Sequence, residues 1–359
     1  MLRTKSGTPA GLTKIKAVKQ ALTSSEPVLL LLLFALLLGI ILISFVIGRY
    51  FVPVSDIFRI FYAKIAGIPS NCPEMIESVV IKVRLPRIIT AVLVGGALAI
   101  SGTAYQGLFK NPMVSPDILG ASAGAGFGAA MGILLSLGIL GIQGSAFLFG
   151  LIAVVLSYSI SSAVSRGKDA ILILVLTGMV VSTLFSSFIT LIKYVADPYN
   201  KLREITYWLM GGLSAACLND VKIIILPLVI GVIPLFLLRW QLNVMVFGDE
   251  EARAMGVNTK RIRLAVILSS TLLTAAAVAV CGIIGWVGLV IPHLSRILVG
   301  PNYKTLLPAS FLIGGAFLLL VDNLARSLFT MELPLGVLTS IIGAPFFIYL
   351  LMKRKKGWT

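Results

Sequence analysis

The residues of this sequence with the greatest chemical capacity sit in one short run, Gly248-Asp249-Glu250-Glu251-Ala252-Arg253-Ala254-Met255-Gly256, between long apolar stretches. The run holds three of the fourteen acidic residues in the chain. Asp249 suits a helix N-cap, Glu250 and Glu251 suit the positive end of a helix dipole, and Gly256 suits the left-handed residue that closes a helix. Ala252 and Met255, three apart, share an apolar face, and Leu242, Met245 and Val246 supply another that ends at Gly248. Two short helices at an angle would make a compact knob. Its chemistry is recognition: both signs of charge around a small apolar patch fit a soluble protein surface and not lipid.

Arginines form the second constellation. Arg84 and Arg87 stand at the outer end of one predicted span, and Arg326 lies near the outer end of another, four residues after Asp322. Two readings follow. Arg326 can pair with Asp322 on one helix face, because an unpaired charge at depth is costly; alternatively the three arginines form an outward basic patch that receives acidic groups of a docking protein. Catalysis finds no support. His293 is the only histidine, which cannot build a zinc site alone, and the chain has no His-Glu-x-x-His, no clustered aspartates and no Gly-x-x-x-x-Gly-Lys-[Ser/Thr] phosphate loop. No catalytic residue, metal ligand or bound cofactor is therefore assigned. Cys72 and Cys217 both fall in predicted outer loops, where a bridge is the lesser reading; free thiols are expected there and at Cys281.

These groups must be positioned by membrane helices. The chain is 58% hydrophobic and 12% charged, with a mean hydropathy of +1.02, far from a soluble domain. Stretches near the ~20 residues a span needs run from Val28 to Ile47, Ile88 to Gly107, Ile118 to Leu137, Ser145 to Val164 and Ala170 to Ile192. They continue from Val221 to Leu238, Leu264 to Ile284, Leu306 to Leu328 and Leu333 to Met352. Between Ile284 and Gly300 a shorter membrane helix is expected, started by Pro292 at its first turn and carrying His293 and Arg296. The expectation is an all-α membrane protein of about ten spans. The first span is too long in its apolar core for a cleaved signal peptide.

With an even number of spans and the N-terminus inside, most lysines and arginines fall on the inner side, so both termini and the knob are expected in the cytoplasm. Residues 1–27 then form a cytoplasmic tail, 28–352 a single transmembrane domain with the knob at about 241–258, and 353–359 a basic tail. The +16 net charge reads as topology and contact with anionic lipid; nucleic acid is not an expected partner. Gly120, Gly124, Gly128 and Gly132, spaced by four, are expected along one face of the third span, where they admit close helix packing. Before them, Asn111-Pro112-Met113-Val114-Ser115-Pro116-Asp117 forms a proline-stiffened inner loop. It suits either a helix-ending turn or part of a gate.

The chain resembles the FecCD family of ABC importer permeases, which includes vitamin B12, haem and iron-siderophore permeases. The resemblance is carried by Arg84-Leu85-Pro86-Arg87, Gly95-Gly96-Ala97-Leu98-Ala99-Ile100-Ser101-Gly102, and Gln106 with Asn111-Pro112. It continues through Tyr207-Trp208-Leu209-Met210-Gly211-Gly212, Gly285-Trp286-Val287-Gly288-Leu289-Val290-Ile291-Pro292-His293, Glu332-Leu333-Pro334-Leu335-Gly336 and Gly343-Ala344-Pro345, so it covers all but the N-terminal tail. It implies a type II ABC importer permease-like subunit in a prokaryotic inner membrane, paired with a second copy around a central pathway. Two separate ATPase subunits, which use ATP and Mg, would engage the knob at Asp249, Glu250, Glu251, Ala252, Arg253 and Gly256. An external substrate-binding protein would meet Arg84, Arg87 and Arg326, and Asn111 and Met113 would lie near the inner end of the pathway.

Rival classes fit less well. A secondary transporter places ionisable groups near mid-membrane, whereas Asp322 and Arg326 lie near an outer end. An intramembrane enzyme needs a catalytic constellation that the chain lacks. The cargo expected from the resemblance is an iron-siderophore, with haem, cobalamin and molybdate as alternatives.

Overall fold

A computed structural model describes residues 26–48, 50–165, 170–328 and 331–354. Residues 1–25 and 355–359, nearly all of the two expected tails, lie outside the described residues, as do Arg166 and Lys168. The described chain is helical throughout, without a strand. The helices are α1 (Glu26–Val46), α2 (Val54–Ala66), α3 (Glu74–Leu108), α4 (Ala121–Leu134), α5 (Ile139–Val164), α6 (Ala170–Val195) and α7 (Lys201–Met210). They continue as α8 (Leu218–Leu237), α9 (Arg239–Met245), α10 (Asp249–Ala254), α11 (Thr259–Cys281), α12 (Val287–Val299), α13 (Tyr303–Ser327) and α14 (Leu335–Arg354). Among the described residues seven helices are long and apolar enough to cross a membrane, and α4, α12 and the apolar part of α14 are shorter apolar helices.

Three helices make the interior. The apolar windows of α3, α11 and α13 are 83%, 72% and 67% buried, whereas those of α1, α5, α6 and α8 are 22% to 28% buried. Lipid gives helices no hydrophobic reason to associate, so close backbone approach and buried hydroxyls must hold the interior together. Both are present. Gly95 of α3 and Gly314 of α13 face each other so closely that a Cβ on either would overlap the other's carbonyl oxygen. Thr103 donates to Ser310 across the same pair at 2.9 Å, and Ser101 shares a 2.9 Å hydrogen bond with Thr274 of α11.

Three expected boundaries move. The second span begins well before Ile88, because α3 runs unbroken from Glu74 through a π-helical stretch, Val79–Arg84, which the proline at the start of Leu85–Leu108 follows without a break. The third span does not start at Ile118: Pro116–Leu119 is a 3₁₀ turn, and α4 begins only after Gly120, whose φ of 90° is left-handed. Pro292 does not start α12, which begins at Val287 and holds the proline inside. A mid-helix proline withholds a donor from the carbonyl four residues earlier, here Gly288. That carbonyl packs against the bare backbone of Gly102 on α3, where any Cβ would overlap it.

Candidate functional site

The knob forms as two short helices, fixed to the bundle from below. Leu242 and Met245 of α9 and Ala252 of α10 are buried in one apolar core with Tyr105, Leu108 and Leu306. Asn243 accepts from the Tyr303 amide at 2.9 Å and donates to Asn302 at 3.0 Å, which ties α9 to the start of α13. The N-cap of α10 is Gly248 and not Asp249: its φ of 143° is a conformation that disfavours a side chain. Freed from capping, Asp249 pairs with Arg263 of α11 at 2.8 Å. The C-terminal end matches expectation. Gly256 has φ 80°, its amide donates to the Arg253 carbonyl and the Val257 amide to that of Ala252, each at 2.9 Å, the paired bonds of a Schellman motif. Glu250, Glu251, Arg253, Val246, Phe247 and Met255 remain exposed. Met255 thus leaves the face of Ala252, and Val246 that of Leu242 and Met245.

Beside the knob lies an open cavity of about 780 Å³, lined by Asn111 and Val114, Ser161 and Ser165 at the end of α5, and Arg253 and Lys260. The loop before α4 is held rather than loose. The Asn111 side chain accepts from the Met113 amide at 2.9 Å, an Asx turn, and buried Gln106 donates to the carbonyls of Val114 and Leu289 at 3.3 and 3.1 Å. Arg296 of α12 donates to Gln106 Oε1 at 2.6 Å, so one amide joins α3, the loop and α12. Asn111 lines the cavity; Met113 is half exposed and does not.

At the opposite end the arginines come together, but facing inward. Arg84, Arg87 and Arg326 are 3%, 6% and 6% exposed, so the expected outward basic patch is not present. Each guanidinium is drawn to buried acceptors, as the cost of a bare charge at depth requires. Arg84 donates to the carbonyls of Phe45, Val46 and Tyr50 and Arg326 to that of Ser44, so the two cap the C-terminal end of α1. Arg87 binds both oxygens of fully buried Asp322 through Nε at 3.0 Å, and its Nη1 reaches Glu332 at 3.0 Å. The Arg326–Asp322 pairing holds at 4.0 Å, with Arg87 the nearer partner at 2.8 Å.

The glycine stripe needs one correction. Gly124, Gly128 and Gly132 do meet α5, where a Cβ would run into Phe149, Ser145 and Ile142. Gly120 lies ahead of the helix, as its left-handed φ dictates, and faces Ser182 of α6 instead. On α6 a second stripe escaped sequence reading: Thr183, Ser186, Ser187 and Thr190 are exposed on a spanning helix. Thr183, Ser187 and Thr190 donate to carbonyls four residues back, at 2.9 to 3.0 Å, which leaves their oxygens free to accept. Charge patterns could not reveal uncharged groups. Arg263 and Gln106 were missed as anchors because their partners are remote in sequence. All three cysteines are free thiols.

The FecCD transport family pattern matches residues 35–353. The chain is 40% identical over 333 residues to the molybdate import system permease protein MolB of Haemophilus influenzae, covering 93% of this chain and 98% of that one. It is also 40% identical to the cobalamin import system permease protein BtuC of Halobacterium salinarum, over 81% of this chain and 78% of that one. Among solved structures, an inward-facing ABC transporter described as of metal-chelate type superposes with a TM-score of 0.80 at 38% identity, covering 92% of this chain and all of the other.

Proposed function

The chain belongs to the FecCD transport family, and from that premise we propose that two copies enclose an import pathway for a metal-bearing cargo, driven by separate ATPases at the knob. As an ABC importer permease it is a multi-pass, non-catalytic membrane subunit. The observation that carries the proposal is the knob. It is capped, cross-linked to α11 and α13, and seated on the core beside α3, yet it presents Glu250, Glu251 and Arg253 outward. A rigid charged projection on the buried scaffold is what a force-bearing contact with a soluble subunit requires.

The hydroxyl stripe of α6 supports the central pathway. Hydroxyls have little use against lipid, and a second copy meeting α6 would enclose an uncharged, accepting wall that passes a bulky polar cargo without trapping it. Both termini and the knob then lie in the cytoplasm, and a substrate-binding protein delivers cargo at the opposite face. The buried arginines hold that end together and are not offered as docking groups. An iron-siderophore is the proposed cargo, in keeping with the metal-chelate description of the structural relative. Molybdate is the second reading, favoured by the match to MolB across nearly the whole of both chains.

One reconstitution tests both levels. Proteoliposomes holding the permease, its ATPase and its binding protein are offered radiolabelled ferric siderophore or molybdate. Uptake of ferric siderophore supports the first reading, and uptake of molybdate alone replaces it with the second. Glu251→Arg should abolish ATPase association and uptake together while the permease still folds. If both persist, the knob is not the coupling element.

A further inference from the structure

We propose that α2 is an interfacial helix, whose exposed apolar stripe rests in the lipid of the leaflet at the arginine end of the bundle. At 13 residues α2 is about 20 Å long, too short for a hydrocarbon core of about 30 Å. Its surface divides into three sectors. Ile57, Ile60 and Ala63 are buried against the bundle, where Phe61 meets Phe45 of α1 edge to face at 5.4 Å. Next to that sector, Val54, Phe58, Tyr62 and Ile65 form one stripe at helical spacing, and the last three are 60%, 68% and 87% exposed. Beyond the stripe, Ser55 and Arg59 are exposed, with Arg59 3.8 Å from Asp56.

A helix with one side on protein, one apolar side bare and one polar side fits the boundary between bilayer and water. The occupant follows from continuity. α1 is a spanning helix of which only 22% is buried, so its exposed Leu38, Leu42 and Ile43 face lipid, and the chain carries that surface on through exposed Ile47, Phe51 and Val54 into the α2 stripe. Tyr62 suits the headgroup level with its hydroxyl toward water, and Phe58 the acyl boundary beneath it. Exposed Lys64, in the last turn, is near enough to water to reach anionic headgroups by its long stem. α2 would thereby fix how deep the arginine end sits in the membrane.

The test labels single cysteines with nitroxide at Phe58→Cys, Ile65→Cys, Ser55→Cys and Arg59→Cys, with Cys72, Cys217 and Cys281 changed to serine. The full chain is placed in nanodiscs of phosphatidylethanolamine and phosphatidylglycerol. Collision with molecular oxygen, which enriches in hydrocarbon, is compared with collision with a water-soluble nickel chelate. The oxygen-to-nickel ratio should be several-fold higher at 58 and 65 than at 55 and 59. Ready access of nickel to the stripe overturns the proposal, as does shielding from both reagents, which would mean that a second copy or another protein covers it. Ile65, being almost fully exposed, gives up little packing on substitution, so its comparison with Ser55 stands even if Phe58→Cys misfolds.

Discussion

Replacing Arg87 with alanine leaves a carboxylate stranded inside the membrane domain. Asp322 is fully buried, and Arg87 approaches it at 2.8 Å. At that distance the gross attraction is about 6 kcal/mol for an effective dielectric of about 20, most of it offset by desolvation of the two ions. Removing one partner keeps the desolvation and loses the attraction. Arg326 gives its Nη2 to the Ser44 carbonyl, but its Nε, 4.0 Å from Asp322, has no hydrogen bond of its own and can recover part of the attraction, which holds the loss toward the lower end of the usual range. That range is about 3–5 kcal/mol, so the expected cost is about 3 kcal/mol. Glu332→Gln provides the internal contrast. Glu332 also touches Arg87, at 3.0 Å, but its side chain is 34% exposed, so solvent screens the pair and the expected loss is about 1 kcal/mol or less.

The assay is unfolding of the purified protein in mixed micelles of rising sodium dodecyl sulfate, followed by tryptophan fluorescence. Trp208 lines the same cavity as Arg87 and Glu332, at the affected end. Adding Asp322→Asn to Arg87→Ala should recover part of the loss, because the stranded charge is gone. The two changes would then be less costly than their sum. Equal small losses for Arg87→Ala and Glu332→Gln, or strict additivity in the double variant, would refute the claim that buried charge pairing holds this end.

Two further outcomes follow from the packing. Gly102→Ala pushes a methyl into the Gly288 carbonyl and should cost at least about 1–3 kcal/mol in the same unfolding assay. Gly39→Ala, with nothing within 4 Å of the new methyl, should be neutral or stabilising by up to about 1 kcal/mol. Gln106→Leu removes the acceptor of Arg296 and the donors to Val114 and Leu289, for an expected loss of about 1–3 kcal/mol. Faster hydrogen exchange across residues 109–118 should accompany it, and an unchanged exchange pattern would count against Gln106 as the tie.

What sequence reading could reach depends on the range of each signal. The capping pattern around Gly256 and the apolar positions Leu242, Met245 and Ala252 are local, and the structure places them as their neighbours dictate. Asp249 went astray as N-cap because its real partner, Arg263, depends on how α10 folds back on α11. The arginines mark a sharper limit. Their types and positions signalled a special site, yet an exposed patch and a buried cluster share one sequence. Partners distant in sequence decide between them: Phe45 for Arg84, Ser44 for Arg326, and Asp322 with Glu332 for Arg87. Pro292 misled for a similar reason: the carbonyl it leaves without a helical donor, that of Gly288, packs against Gly102 on another element.

The division of labour among the helices follows from the same physics. The peripheral α1, at mean hydropathy 3.2, is far more apolar than the interior helices α3 and α13 at 1.8, although it is only 22% buried against their 83% and 67%. In water that order would be inverted; in lipid the outside must be the more apolar, and the inside can carry the hydroxyls, amides and ion pairs that hold helices together. The order holds at its extremes and not throughout: interior α11, 72% buried, has the same mean hydropathy of 2.3 as the peripheral α5 and α8. α6, at 2.2, matches α5 and α8, at 2.3, in mean hydropathy and differs in where its hydroxyls lie. It is as exposed as α5 and α8, at 28% buried each, yet Thr183, Ser186, Ser187 and Thr190 lie on its bare side. Lipid gives those hydroxyls no partner beyond the carbonyls of their own helix, so the stripe gains a use only where another polar surface faces α6, which is the reason for proposing it as a pathway wall between two copies.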